Sequence, residues 1–271
     1  MLHLQSILFW TFFATSMVPF FVVGLLIWFV TFPFDRNRVV LHLYSCFWAQ
    51  TYMLVHLSWR QRFEGREKLP WKGAAVLVSN HESLGDILVL FGLYRPFKWV
   101  SKASVFRAPF LGWNMWLNGY VGLVRGNKGS IVKMMADCRA WLDRGVPVLL
   151  FPEGTRSPDG EIQPFKDGAF RLAVEAGCPV IPIVLTGTAN ILPKHGFIFR
   201  SRGNCRVRIL DPVDPAPFDG DFTALRDAVR ATMIAEKDRM LGDDAVQAAA
   251  LGAPQPLQRP EQPPEPPRVS V

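Results

Sequence analysis

The sequence predicts an α/β domain, a mostly parallel mixed sheet flanked by helices, preceded by N-terminal membrane helices. Three observations carry this expectation. The first 34 residues contain no Asp, Glu, Lys or Arg. Beyond them, short apolar runs of strand length alternate with stretches of helical period. Gly and Pro punctuate the junctions, as at Gly145 with Pro147 and at Gly177. The expected division is membrane-anchoring helices over 1–60, a folded domain over 61–251 and a Pro-rich tail over 252–271.

The elements follow in order. Ile7 to Phe34 is apolar or neutral almost throughout, and about 20 apolar residues suffice to cross a bilayer as helix. A cleaved signal peptide fits less well. The basic leader is missing, the apolar run is too long, and no clear small-x-small cleavage site follows. After the charged break Asp35-Arg36-Asn37-Arg38, Val39 to Trp59 is uncharged and rich in Leu, Trp, Tyr and Phe. It also carries His42, Ser45, Gln50, His56 and Ser58. Membrane contact is expected there, as a span, a re-entrant segment or an interfacial helix. A buried amphipathic helix is the alternative. Arg60, Arg62, Arg66, Lys68 and Lys72 cluster next. The positive-inside rule then puts the main domain on the cytoplasmic face of the inner membrane. The net charge of +7 favours membrane lipids with anionic headgroups. No recognition-helix or aromatic-ribbon pattern supports nucleic acid as partner.

Ala74–Val78 and Val146–Phe151 read as core strands and Val180–Leu185 as another. Cys205–Leu210 alternates as an edge or half-exposed strand does. In Ile131–Arg144, Ile131, Met134, Met135, Cys138 and Leu142 share a helix face. Phe170–Ala176 is a short helix stopped at Gly177, and Phe222–Leu241 a longer one. From Gly252 the prolines crowd a polar segment without aromatics, which points to polyproline disorder. Cys46, Cys138, Cys178 and Cys205 lie far apart and form no CxxC pair. They read as small buried hydrophobes, and no metal or cofactor is expected.

Candidate chemistry concentrates after strands. In Ser79-Asn80-His81-Glu82-Ser83-Leu84-Gly85-Asp86-Ile87, a histidine directly follows an apolar run and a carboxylate comes five residues later. On an ideal helix these positions lie roughly 140° apart. The two side chains meet only if His81 sits in the loop or cap and Asp86 in the first turns. They would then serve as a base and its orienting carboxylate. The loop Phe151-Pro152-Glu153-Gly154-Thr155-Arg156-Ser157 also follows an apolar strand. Arg156 offers a planar fork of donors for an anion, and Gly154 permits close backbone approach; a surface turn is the alternative. Arg125 ends the strand-like run from Gly119, and Lys102 follows Trp99-Val100-Ser101. Lys166 and Gly168 extend this polar edge. Each cation alone reads as surface charge, but together they ring a histidine.

In this order the residues resemble the glycerolipid acyltransferase family, specifically the 1-acyl-sn-glycerol-3-phosphate acyltransferases of the PlsC type. Asn80, His81 and Asp86 match its first block, Gly119 to Arg125 its second, Phe151 to Ser157 its third, and Val180 to Val184 its fourth. Lys102, Pro109 to Trp113, Phe165-Lys166 and Gly168 also look like family features. The resemblance covers roughly Trp71 to Leu210. It implies transfer of a fatty acyl group from acyl carrier protein or acyl-CoA to the sn-2 hydroxyl of lysophosphatidic acid, giving phosphatidic acid. His81 and Asp86 would be catalytic. Lys102, Arg125, Glu153, Gly154, Thr155 and Arg156 would bind substrate, with Glu153 ordering the loop or meeting the acceptor's polar groups. A different lysolipid acceptor, such as lyso-ornithine lipid, is a second reading, and an inactive membrane lipid-binding protein a third.

Overall fold

A computed structural model describes residues 2–55, 59–190 and 203–250. Seven helices and seven strands lie in these residues. The helices are α1 (Leu2–Thr31), α2 (Val39–Val55), α3 (Gly85–Phe91), α4 (Leu111–Leu117), α5 (Lys128–Asp143), α6 (Gly168–Ala176) and α7 (Phe222–Ala250). The strands are β1 (Trp59–Glu64), β2 (Val76–Ser79), β3 (Lys98–Lys102), β4 (Val121–Leu123), β5 (Val148–Leu150), β6 (Val180–Thr186) and β7 (Gly203–Ile209). They form one sheet in the order β1-β7-β6-β2-β5-β3-β4. The five strands from β6 to β4 are parallel; β7 runs against β6, and β1 runs with β7. The fold is therefore α/β with a mostly parallel sheet flanked by helices.

The period-two pleat divides the apolar strands between two layers. Leu77, Leu149, Ile181 and Ile183 point into the layer with Cys46, Trp48, Met53, Val89 and Leu90 from α2 and α3. Val76, Val78, Val148, Leu150, Val180 and Val184 point into the other. They pack there with Met134 and Cys138 of α5, Phe170 and Leu172 of α6, and Leu225 and Val229 of α7. Burial on both faces is why these strands read as unbroken apolar runs. All four cysteines are buried.

Several expectations are sharpened or changed. Of the two readings of Cys205–Leu210, edge or half-exposed strand, the structure gives the second. It is β7, enclosed between β6 and β1. Its alternation is genuine, but the polar side is occupied by protein: Arg206 and Arg208 bond Glu64, Glu236 and Asp244. The basic stretch from Trp59 is β1, an unforeseen strand. α2 also departs from a spanning helix. It has 17 residues, and Leu41, His42, Ser45, Cys46, Trp48, Ala49, Gln50, Tyr52 and Met53 are buried. α7 runs past Leu241 to Ala250. The expected Pro-rich tail, with His56 and Ser58, lies outside the described residues.

Among the described residues α1 alone, over Ser6–Thr31, is long and apolar enough to cross a membrane. One of its faces packs on the domain along most of its length. Phe13 meets Tyr52 at 4.7 Å, Phe20 stacks on Trp48 at 5.4 Å, and Phe21 meets Trp113 edge-on at 5.5 Å. The Tyr44 hydroxyl donates to Phe20 O at 2.8 Å. Val22, Leu26, Phe29 and Val30 on α1 are exposed.

Candidate active site

Because β6, β2, β5, β3 and β4 are parallel, their carboxyl ends share one edge, where ligands of open α/β sheets bind. His81 follows β2, Phe151 follows β5, Lys102 ends β3 and Arg125 follows β4. Asn80 extends the β2–β6 pairing beyond the strand. Its side-chain amide donates to Leu185 O at 3.0 Å, and its carbonyl accepts from Leu185 N at 2.8 Å. The chain leaves the sheet at a fixed point as a result.

His81 sits in the loop and Asp86 is the second residue of α3, so they escape the 140° separation that an ideal helix imposes. His81 Nδ1 lies 2.7 Å from Asp86 Oδ2. The same oxygen accepts from Glu82 N at 2.7 Å and Ser83 N at 3.0 Å. Three donors on one carboxylate oxygen wrap the turn around Asp86, whose side chain is fully buried. The opposite side is held by Glu153. Its Oε1 accepts from His81 N at 2.8 Å and its Oε2 from Gln163 N at 3.0 Å. Burial pushes the Glu153 carboxyl above its ordinary range, while these two N–H donors and His81 pull it down. Ser157 N donates to His81 O at 2.7 Å. The imidazole stacks on Phe151 with ring centroids 4.2 Å apart. With Nδ1 given to the carboxylate, Nε2 is the nitrogen left for a substrate proton.

A cavity of about 1110 Å³ opens at His81. Lys102, Arg125, Gly154, Thr155, Arg156 and Lys166 line its polar part. Phe9, Phe13, Trp48, Tyr52, Leu88 and Met115 line its apolar part, so α1 and α2 form one wall. Lys102, Arg125 and Thr155 are exposed, whereas Arg156 is half-buried. Its Nη1 is shielded from solvent and has no partner among the described residues. A buried guanidinium nitrogen without an acceptor is costly to the fold, and an anion in the cavity offsets that cost. Gly154 has φ +71°, and a Cβ there would lie 2.6 Å from Lys166 Nζ. Only glycine fits this loop without displacing the lysine.

The cavity thus gathers His81, Lys102, Arg125, Gly154, Thr155 and Arg156. Glu153 and Asp86 do not line it; both stand behind it and hold His81. Sequence reasoning missed Phe151 as a ring partner of the imidazole, and Gln163 and Ser157 as donors to the loops. Phe151 carried one available signal: an aromatic at the end of the strand next to β2. Gln163 carried none.

Parallel strands, a buried carboxylate fixing a histidine, and a cavity lined by both aromatic and cationic side chains define the class. Residues 60–186 match the model of the family described as Acyltransferase, and that stretch of the chain belongs to the family. It is 38% identical over 193 residues to a 1-acyl-sn-glycerol-3-phosphate acyltransferase of Chlamydomonas reinhardtii, covering 70% of this chain and 58% of that protein. It is 36% identical over 195 residues to the human 1-acyl-sn-glycerol-3-phosphate acyltransferase alpha, covering 67% and 66%. The chain thus spans less than two thirds of the length of these relatives. The crystal structure of PlsC, the 1-acyl-sn-glycerophosphate acyltransferase of Thermotoga maritima, superposes with a TM-score of 0.73. The identity is 26%, and the match covers 88% of this chain and 95% of that one.

Proposed function

We propose that this protein is an acyltransferase that moves a fatty acyl group from a thioester to the sn-2 hydroxyl of 1-acyl-glycerol-3-phosphate, forming phosphatidic acid. The observation that carries the reading is the His81–Asp86 pair beside a cavity lined by both aromatic and cationic side chains. A hydroxyl is a weak nucleophile at neutral pH. His81 Nε2 takes its proton as the oxygen attacks the thioester carbonyl. Asp86 fixes the tautomer and stabilises the imidazolium that forms. The tetrahedral intermediate expels the thiolate, the carbon–sulfur bond breaks, and the imidazolium returns the proton to sulfur. No acyl-enzyme is formed. The acceptor's phosphate bonds Arg156 and Arg125, with Lys102 beside them, and the acyl chain lies among the aromatics of α1 and α2. The donor is acyl carrier protein or acyl-CoA.

The relatives' names support lysophosphatidic acid as acceptor in preference to other lysolipids. The exposed apolar face of α1 supports contact with a membrane, and the basic residues from Arg60 to Lys72 support a cytoplasmic placement of the site. Because the domain packs along α1, that contact is best read as insertion beside the domain, not as a free-standing span. His81→Ala is expected to abolish acyl transfer in membranes supplied with lysophosphatidic acid and either thioester, while membrane association persists. Substantial remaining transfer removes His81 as the base.

A further inference from the structure

Glu82 follows His81 in the chain but does not line the cavity. Its side chain turns into the protein, 7% exposed, and meets Lys237 of α7, 6% exposed. Lys237 Nζ donates to Glu82 Oε1 and to Gly160 O. Thr188 Oγ1, in the turn after β6, approaches Glu82 Oε2 at 3.4 Å. Meanwhile Glu82 N donates to the same Asp86 oxygen that holds His81. One residue therefore joins the His81–Asp86 pair to α7, to the loop after β5 and to the loop after β6. Burial pushes the Glu82 carboxyl up and Asp86 adds to the shift, while Lys237 pulls the other way.

A buried ion pair is poor value for stability, because apolar residues of similar size do as well. Its bonds are directional, however, and these directions fix the backbone between His81 and Ser83. We propose that Lys237 is a positioning residue for the reaction. Through Glu82 it fixes the His81–Ser83 turn against Asp86 and so aims Nε2 at the cavity. The proposal rests on His81 being the base.

The test compares K237M, K237R and E82Q/K237M with the wild type in kcat, in KM for lysophosphatidic acid, and in exchange of the His81 Nδ1 proton by NMR. K237M is expected to lower kcat about ten- to a hundred-fold, the scale of a misplacement near 1 Å, with KM within about two-fold. K237R should restore most of the rate, since it keeps a donor to Glu82 and Gly160. The Nδ1 proton should exchange faster in K237M than in the wild type or K237R. Unchanged kcat and exchange, or a rise confined to KM, overturns the proposal. If K237M does not fold, E82Q/K237M removes both charges together, and wild-type kcat in that variant overturns it equally. If the wild type shows no acyl transfer, the base assignment has failed, and proton exchange alone then decides the positioning role.

Discussion

The turn from His81 to Asp86 and the cationic rim share one edge of the sheet, yet they are built in opposite ways. In the turn, Asp86 Oδ2 takes three donors, Glu153 takes two, and the His81 carbonyl takes one. On the rim, Lys102 and Arg125 are exposed and Arg156 Nη1 has no partner among the described residues. The difference follows from what each part does in the proposed reaction. The base must already be aimed when substrate arrives, because every degree of freedom left to it lowers the rate. The phosphate contacts must stay available until a ligand supplies the acceptor, and at Arg156 Nη1 the fold carries the cost of that.

The largest predicted effect is on the finished side. Asp86→Asn puts an amide where three donors converge and removes the charge that stabilises the imidazolium. A fall of about 10⁴ in kcat is expected, as when a triad carboxylate is replaced by its amide. Leaving buried donors unpaired should also lower stability by about 1–3 kcal/mol, read by thermal denaturation. Near-normal kcat in this variant breaks the comparison, since the turn would then be ordered for some purpose other than catalysis.

The same contrast explains what could be read in the sequence. β2, β5 and β6 were legible because strands buried on both faces leave unbroken apolar runs. His81 and Asp86 were legible as a pair because five-residue spacing is local and a loop lets them meet. β1 was not, since Arg60 and Arg62 stay exposed on an edge strand and read as solvated charge. β7 itself was found as an edge or half-exposed strand, and the pattern does not choose between the two. Its arginines alternate with apolar residues whether water or Glu64 and Glu236 lie opposite. Asn80 is matched in the sequence only as part of the first motif block, and its pairing with Leu185 spans 105 residues. Lys237 and Gln163 carry no local pattern. Their roles exist only once α7 and the loop after β5 have packed against the turn.

Arg156 tests the open side. Arg156→Ala is expected to raise KM for lysophosphatidic acid about 10- to 100-fold. Hydrogen bonds to charged groups are worth about 1.5–3 kcal/mol, and 1.4 kcal/mol is ten-fold. Stability should stay level or rise slightly, because the variant loses a shielded guanidinium nitrogen that has no partner among the described residues. That pairing of outcomes, binding weaker and fold no weaker, is the reverse of the Asp86 result. A marked loss of stability with unchanged KM would place Arg156 among the structural groups instead.

The smallest effect belongs to the exposed cations. Lys102→Met and Arg125→Met should each raise KM by only about two- to five-fold, since charges in contact with water gain little from a single partner. The increase should shrink as salt is raised, because the screening length falls from about 10 Å at 0.1 M to about 3 Å at 1 M. Measuring KM across that range separates the two halves of the rim. The Arg156 contact, shielded from solvent, should keep most of its effect at high salt, whereas those of Lys102 and Arg125 should largely vanish. A salt-insensitive loss at Arg125 would mean that substrate buries this side chain, and the closed, directional part of the site would then extend to the end of β4.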